Sequence, residues 1–93
     1  MIFFDVEEAR NQLLEKNFVY TLRSGFRTVG RTMAVAGKYP GVPLCSVSVE
    51  RIKDIEKPED LEPFLPYSGF ADIHIWLSKA SKSARTLYVV TKV

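Results

Sequence analysis

The sequence predicts one small α+β domain whose core is a strand-rich sheet, curled into a compact barrel. The chain has 93 residues, which is enough for a single hydrophobic core and leaves no room for a second domain. Of these residues 46% are hydrophobic and 12% aromatic, so the domain, residues 1–93, has enough apolar material to fold alone. Strand-like segments outnumber the helical ones, which are short and lie apart from them, and this pattern is typical of the α+β class.

A first helix is predicted over residues 6–15. Asp5 is placed to act as its N-cap, and Glu8 three residues later completes a capping-box pattern. Ala9 and Leu13 recur at helical spacing on one face, while the other positions are mostly polar. We expect the apolar face to pack against the core.

Four strands and two further short helices follow. The strand segments are rich in aromatic and β-branched residues that alternate between two faces, and they cover residues 18–23, 31–36, 43–55 and 86–93. The two helices are predicted over residues 58–65 and 73–81, the first of them opened by a proline and ended by the Pro66–Gly69 break. The final strand is expected to complete the sheet by pairing with an early strand.

The composition argues against several classes of protein. One cysteine, Cys45, and one histidine, His74, give no internal disulfide and no cluster of nitrogen and sulfur ligands for a metal, and no cofactor is predicted. The N-terminal residues lack the basic region of a signal peptide, and the longest apolar runs are about four residues. A bilayer-spanning helix needs about 20 such residues. We therefore expect a cytoplasmic protein that does not enter the membrane.

The charges are segregated, although the net charge is only +2. Residues 16–38 carry five bases and no acid, residues 50–62 carry six acids and three bases, and residues 79–92 carry four bases and no acid. If the fold joins the two basic segments, a polyanion meets a positive surface.

The order of the elements resembles that of a known family. The resemblance rests on the strand Phe18-Val19-Tyr20-Thr21-Leu22-Arg23, the glycine-flanked basic loop after it, the Ser68-Gly69-Phe70 segment before a tryptophan-bearing helix, and the closing Leu87-Tyr88-Val89-Val90. Together they resemble ASCH domains, a branch of the PUA-like superfamily. The resemblance implies a small mixed β-barrel with helices at its ends, a cleft beside the strand that carries Thr21 and Arg23, and RNA as the ligand.

One branch of that family hydrolyses acetylated cytidine with a lysine three residues before the threonine of this strand. Here that position is Phe18, and Lys16 lies two residues earlier. The departure favours a binding module over an enzyme. A small hydrolase acting on a modified nucleoside, with Lys16 or Lys38 assisting Thr21, remains an alternative, as does a protein-interaction adaptor that binds no nucleic acid.

The predicted RNA site combines cations, a hydroxyl and aromatic rings. Arg23 and Arg31 are expected to lie close together at the ends of a hairpin, with Arg27 in the loop, where guanidinium groups suit phosphate geometry. Aromatic residues in loops suit stacking on unpaired bases, although each ring can instead cap the core. The predicted site residues are Lys16, Thr21, Arg23, Arg27, Arg31, Lys38, Tyr39 and Tyr67. Core filling is the preferred interpretation of Cys45, and His74 is interpreted as exposed or hydrogen-bonded.

Overall fold

The computed structural model describes residues 2–4, 6–24, 29–37, 41–80 and 84–93. It confirms the α+β class: the strands form one mixed sheet curled into a half-barrel, and three short helices pack against it. The strands are β1 (Ile2–Phe4), β2 (Phe18–Arg23), β3 (Gly30–Ala36), β4 (Val42–Asp54) and β5 (Thr86–Lys92). The helices are α1 (Glu7–Lys16), a 3-10 helix (Pro58–Tyr67) and α2 (Ile73–Lys79).

The strand order across the sheet is β1-β3-β4-β5-β2. β1 runs parallel to β3, and the other neighbouring strands are antiparallel. β5 lies between β4 and β2, with Val89 opposite both Glu50 and Tyr20. The prediction that the last strand pairs with an early one is therefore confirmed.

Two predictions about the N-terminal part of the chain are wrong. The sequence was expected to begin with a helix, but Ile2–Phe4 forms a strand first. Such a short strand has no alternation to detect, and it is held by parallel pairing to β3, 32 residues further along. The N-cap of α1 is Val6, which makes no side-chain hydrogen bond; Asp5 lies outside the described residues.

The sheet has a hydrophobic core on each face. On the inner face Val19, Val47 and Val90 pack with Leu13 of α1. On the outer face Leu22 and Leu87 are covered by the two helices between β4 and β5, and the outer core also holds Leu61, Trp76, Ile55 and Ala84. β2 thus contributes alternate residues to two cores, as its period of two requires.

α1 lies in the opening of the half-barrel and bonds to both edge strands. The Arg10 guanidinium donates from Nη1 to the Phe4 carbonyl of β1 at 3.1 Å. The Gln12 amide donates from Nε2 to the Phe18 carbonyl of β2 at 3.3 Å. The Phe4 carbonyl also accepts from the Gly37 amide at 3.0 Å, so Arg10 adds a second donor there, whereas the Gln12 amide bonds to a carbonyl of the edge strand β2.

The chain passes over α1 at residues 67–70, where the 3-10 helix ends and the connection to α2 begins. The 3-10 helix continues through Pro66 to Tyr67, two residues beyond the predicted end. Ser68 is fully buried, and its hydroxyl donates to the Leu65 carbonyl at 2.8 Å and accepts from the Phe70 amide at 3.1 Å. Gly69 has φ +87°, and a Cβ placed there would overlap the carbonyl oxygen of Glu8. The connection therefore requires glycine for its conformation and for its close approach to α1.

The described helices include none that is both long and apolar enough to cross a membrane.

Candidate functional site

A pocket of about 320 Å³ lies at the C-terminal end of β2. Strands β1 and β2, the start of α1 and the end of α2 form its walls. The lining residues are Phe4, Val6, Ala9, Thr21, Leu22, Arg23, Ser24, Phe70, Trp76, Lys79 and Ala80. This volume is at the small end of the range for ligand sites, about 300–1,000 Å³.

Among the described residues, Thr21 and Phe4 help to hold Arg23 in the wall of the pocket. Its Nε donates to the Thr21 hydroxyl oxygen at 3.0 Å, because residues two apart on a strand point to the same face. The guanidinium carbon also lies 4.8 Å from the centre of the Phe4 ring, in cation–π contact. Thr21 is only 8% exposed, so the bond is shielded from water. The guanidinium is thus oriented before any ligand arrives.

Aromatic rings and α2 form another part of the wall. Trp76 is 2% exposed and stacks on Phe70, with ring centres 6.3 Å apart and planes inclined by 17°. The N-terminus of α2 is held by Asp72, whose carboxylate accepts a hydrogen bond from the Ile75 amide at 2.9 Å. Lys79 follows Trp76 by three residues and therefore lies on the same side of the helix.

The chemistry of the pocket favours an anionic, partly flat ligand. Arg23 and Lys79 supply two cations from separate elements, and Thr21 and Ser24 supply hydroxyl groups. The described residues that line the pocket include no carboxylate. Phe4, Phe70 and Trp76 also line the pocket; Phe4 and Trp76 are almost completely buried, so Phe70 supplies the partly exposed ring. A phosphate with an attached ring system matches these groups.

The structure brings two of the predicted site residues, Thr21 and Arg23, together at the pocket. The expected β2–β3 hairpin is wrong, because β2 pairs with β5, whereas β3 pairs with β1 and β4. Arg31 lies opposite Ser48, which is opposite Thr91, which is opposite Phe18. Arg31 is therefore three strands away from β2, at the level of Phe18, about 17 Å short of Arg23 along the strand direction.

The remaining predicted residues lie away from the pocket or outside the described chain. Lys16 is exposed at the far end of α1, about 15 Å along the helix axis from Val6, which lines the pocket. Tyr67 packs against Phe18 and Tyr20 on the outer side of β2. The other three predicted residues, Arg27, Lys38 and Tyr39, fall outside the described residues.

Several pocket residues were not singled out from the sequence as ligand contacts. Trp76 belongs to the outer core and also lines the pocket. Phe4 lies on the strand that the sequence did not reveal. Lys79 is the first residue of the second basic segment. The charge segregation is therefore the sequence feature that could have identified Lys79 as a site residue.

Away from the pocket, the cap of the 3-10 helix holds one strongly bonded carboxylate. Asp60 Oδ2 accepts hydrogen bonds from the backbone amides of Lys57 at 3.2 Å and Glu56 at 3.3 Å. These bonds hold the pKa of Asp60 below its usual value because they favour the charged form, and the bond from Lys57 has the largest effect.

His74 is exposed, and the described part of the chain shows no group of three or more His, Cys, Asp or Glu placed to hold a metal ion.

Comparison with known proteins gives no match: no family model, curated protein or solved structure is similar to this chain.

Proposed function

We propose that this chain is an RNA-binding module and that the pocket at the end of β2 holds one nucleotide of a single-stranded RNA. The observation that carries the proposal is the guanidinium of Arg23, held by Thr21 and Phe4 in the lining of a pocket to which Lys79 also contributes. Fixed donors of this kind suit a phosphate, and the partly exposed ring of Phe70, which is backed by Trp76, suits a base.

The position of the pocket supports the same proposal. The resemblance to ASCH domains implies a cleft beside the strand that carries Thr21 and Arg23, and the pocket is lined by both residues. Membership of that PUA-like family is part of the proposal, as is a cytoplasmic location.

The arrangement of the described residues favours binding over hydrolysis. A catalytic base must lie within about 3 Å of the proton that it moves. Lys16 projects from the opposite end of α1, and Lys38 is outside the described residues. The Thr21 hydroxyl oxygen already accepts a hydrogen bond from Arg23, a cation that cannot act as a base.

The pocket also favours a ligand site over a purely protein-binding adaptor. An adaptor has no need for a concave site in which two cations and aromatic rings converge. Arg23 and Lys79 come from segments more than fifty residues apart, and the fold brings both to one hollow. Each of the two basic segments of the sequence therefore contributes one described cation to the pocket.

The test uses Trp76, the chain's only tryptophan, as the reporter. Octauridine is titrated at low salt while tryptophan fluorescence and the anisotropy of a labelled RNA are followed. We expect both signals to saturate together. Binding should weaken at least about tenfold in Arg23→Ala, because a charge-assisted bond to phosphate is lost. Arg23→Lys should recover part of this loss, because the charge remains but the planar fork does not.

Salt dependence separates phosphate contact from indirect effects. In Lys79→Gln the slope of log affinity against log salt should decrease by about 0.7, the value for one phosphate contact with a single strand. The matched control is Lys57→Gln, which removes an exposed lysine that does not line the pocket and should leave the slope unchanged. Absence of RNA binding by the folded wild-type chain at low salt would refute the proposed function.

A further inference from the structure

A second group of aromatic residues lies on the outer side of β2. We call Phe18, Tyr20, Phe64 and Tyr67 the aromatic surface. Their rings form a continuous series, with centre-to-centre distances of 5.3 Å for Phe18–Tyr67, 6.1 Å for Tyr67–Tyr20 and 4.9 Å for Tyr20–Phe64. Tyr67 is the outermost ring.

Tyr67 is not needed to fill the outer core. Tyr20 and Phe64 pack against that core, whereas Tyr67 touches the other rings and keeps 44% of its surface exposed. Its orientation is nevertheless supported on two sides, by Phe18 and by Tyr20. An exposed ring with a fixed orientation is the geometry that stacks on an unpaired base.

One lysine lies beside the aromatic surface, and a second precedes it along the chain. The ammonium of Lys53 lies 5.9 Å from the centre of the Phe64 ring. Lys16, which is exposed, precedes Phe18 by two residues. Cations beside rings complement a ligand that carries phosphates between flat bases.

The aromatic surface is close enough to the pocket to share one ligand with it. Tyr67 and Phe70, which lines the pocket, are joined by residues 67–70, the connection that crosses α1. Three residues of chain span at most about 11 Å even when fully extended. A base on Tyr67 and a nucleotide in the pocket can therefore belong to neighbouring positions of a single strand.

We propose that the aromatic surface extends the site: the RNA strand with one nucleotide in the pocket continues across residues 67–70 and stacks a further base on Tyr67. This inference rests on the proposed function. It assigns the chain a binding site several nucleotides long, with the pocket at one end and Tyr67 beyond it.

The experiment compares a short probe with a long one. Uridine 5′-monophosphate fills the pocket alone, whereas octauridine reaches both places. In Tyr67→Ala we expect octauridine affinity to fall about tenfold, the loss typical of one removed base stack, with uridine monophosphate affinity unchanged. Tyr67→Phe keeps the ring and should retain the wild-type affinity for both. Thermal melting of each variant confirms that the fold is intact.

The outcomes separate this inference from the proposed function. If octauridine binds and depends on Arg23 but not on Tyr67, the pocket stands and the extended site is refuted. If the loss in Tyr67→Ala is equal for both probes, Tyr67 acts on the pocket indirectly and the extension is also refuted. A concentration-dependent dimer that Tyr67→Ala abolishes, without an effect on octauridine, would assign the aromatic surface to a second copy of the chain. If the folded chain binds neither probe, the proposed function itself fails.

Discussion

Replacing Gly69 with alanine tests how the connection between the 3-10 helix and α2 is held against α1. Two costs are expected. At φ +87° an L-residue is strained by about 1–2 kcal/mol, partly offset by about 0.4–1 kcal/mol because alanine restricts the unfolded chain. The added Cβ also overlaps the Glu8 carbonyl oxygen, a backbone atom that cannot rotate away. Forced displacement of packed groups costs about 1–3 kcal/mol, so the total loss should be about 2–4 kcal/mol.

Gly37→Ala is the matched control for this substitution. Gly37 has φ +79°, close to that of Gly69, but nothing lies within 4 Å of the position that its Cβ would take. It should therefore show the conformational cost alone, about 1 kcal/mol. The free energy of unfolding is measured for both variants by urea denaturation, with Trp76 fluorescence and circular dichroism as independent probes. Equal losses in the two variants would refute the steric argument and the close approach of Gly69 to α1.

Three further predictions concern groups outside the pocket wall. Gln12→Ala should lower the free energy of unfolding by about 1 kcal/mol in urea denaturation, because the Phe18 carbonyl loses its donor; no change would show that water replaces the amide at no cost. Asp72→Ala should cost about 1 kcal/mol and weaken RNA binding, because the cap of α2 is lost; unchanged melting and unchanged affinity would contradict this. The pKa of Asp60 is lowered in the folded state. Its carboxylate therefore contributes to the free energy of unfolding above the ordinary carboxylate pKa of about 3.9, and this contribution is lost as the pH falls through the lowered value. Asp60→Asn should therefore destabilise the protein at neutral pH and less so at low pH, as measured by urea titration. An equal loss at both pH values would contradict the role of the two backbone amides that donate to the carboxylate.

The elements that were predicted well are those with strong local patterns. β2 was predicted with the bounds that the structure gives, because its alternation of Phe18, Tyr20 and Leu22 with Val19 and Thr21 is unbroken. Its two faces pack against different cores, so both sets of residues are apolar or β-branched. The pairing of the strands was not encoded locally: β2 and β3 are neighbours along the chain, but β5 takes the place beside β2.

The candidate site was predictable only where it depends on residues that are close together in the sequence. Thr21 and Arg23 share a face because of strand geometry, and that relation can be read from two residues of sequence. The contribution of Lys79 depends on where α2 lies relative to β2, which no local pattern specifies. Arg31 was placed near Arg23 on the assumption of a hairpin, and this placement failed together with the hairpin.

The place of β5 within the sheet has a consequence for how the molecule assembles. β5 is flanked by β4 on one side and β2 on the other, and Leu87, Tyr88 and Val90 are almost completely buried. β2 therefore has no partner in the sheet until a segment more than sixty residues later in synthesis reaches it. Closing so large a loop delays folding, and domains dominated by such pairings typically fold in milliseconds to seconds. β2 can therefore take its place in the sheet only after β5 has been synthesised.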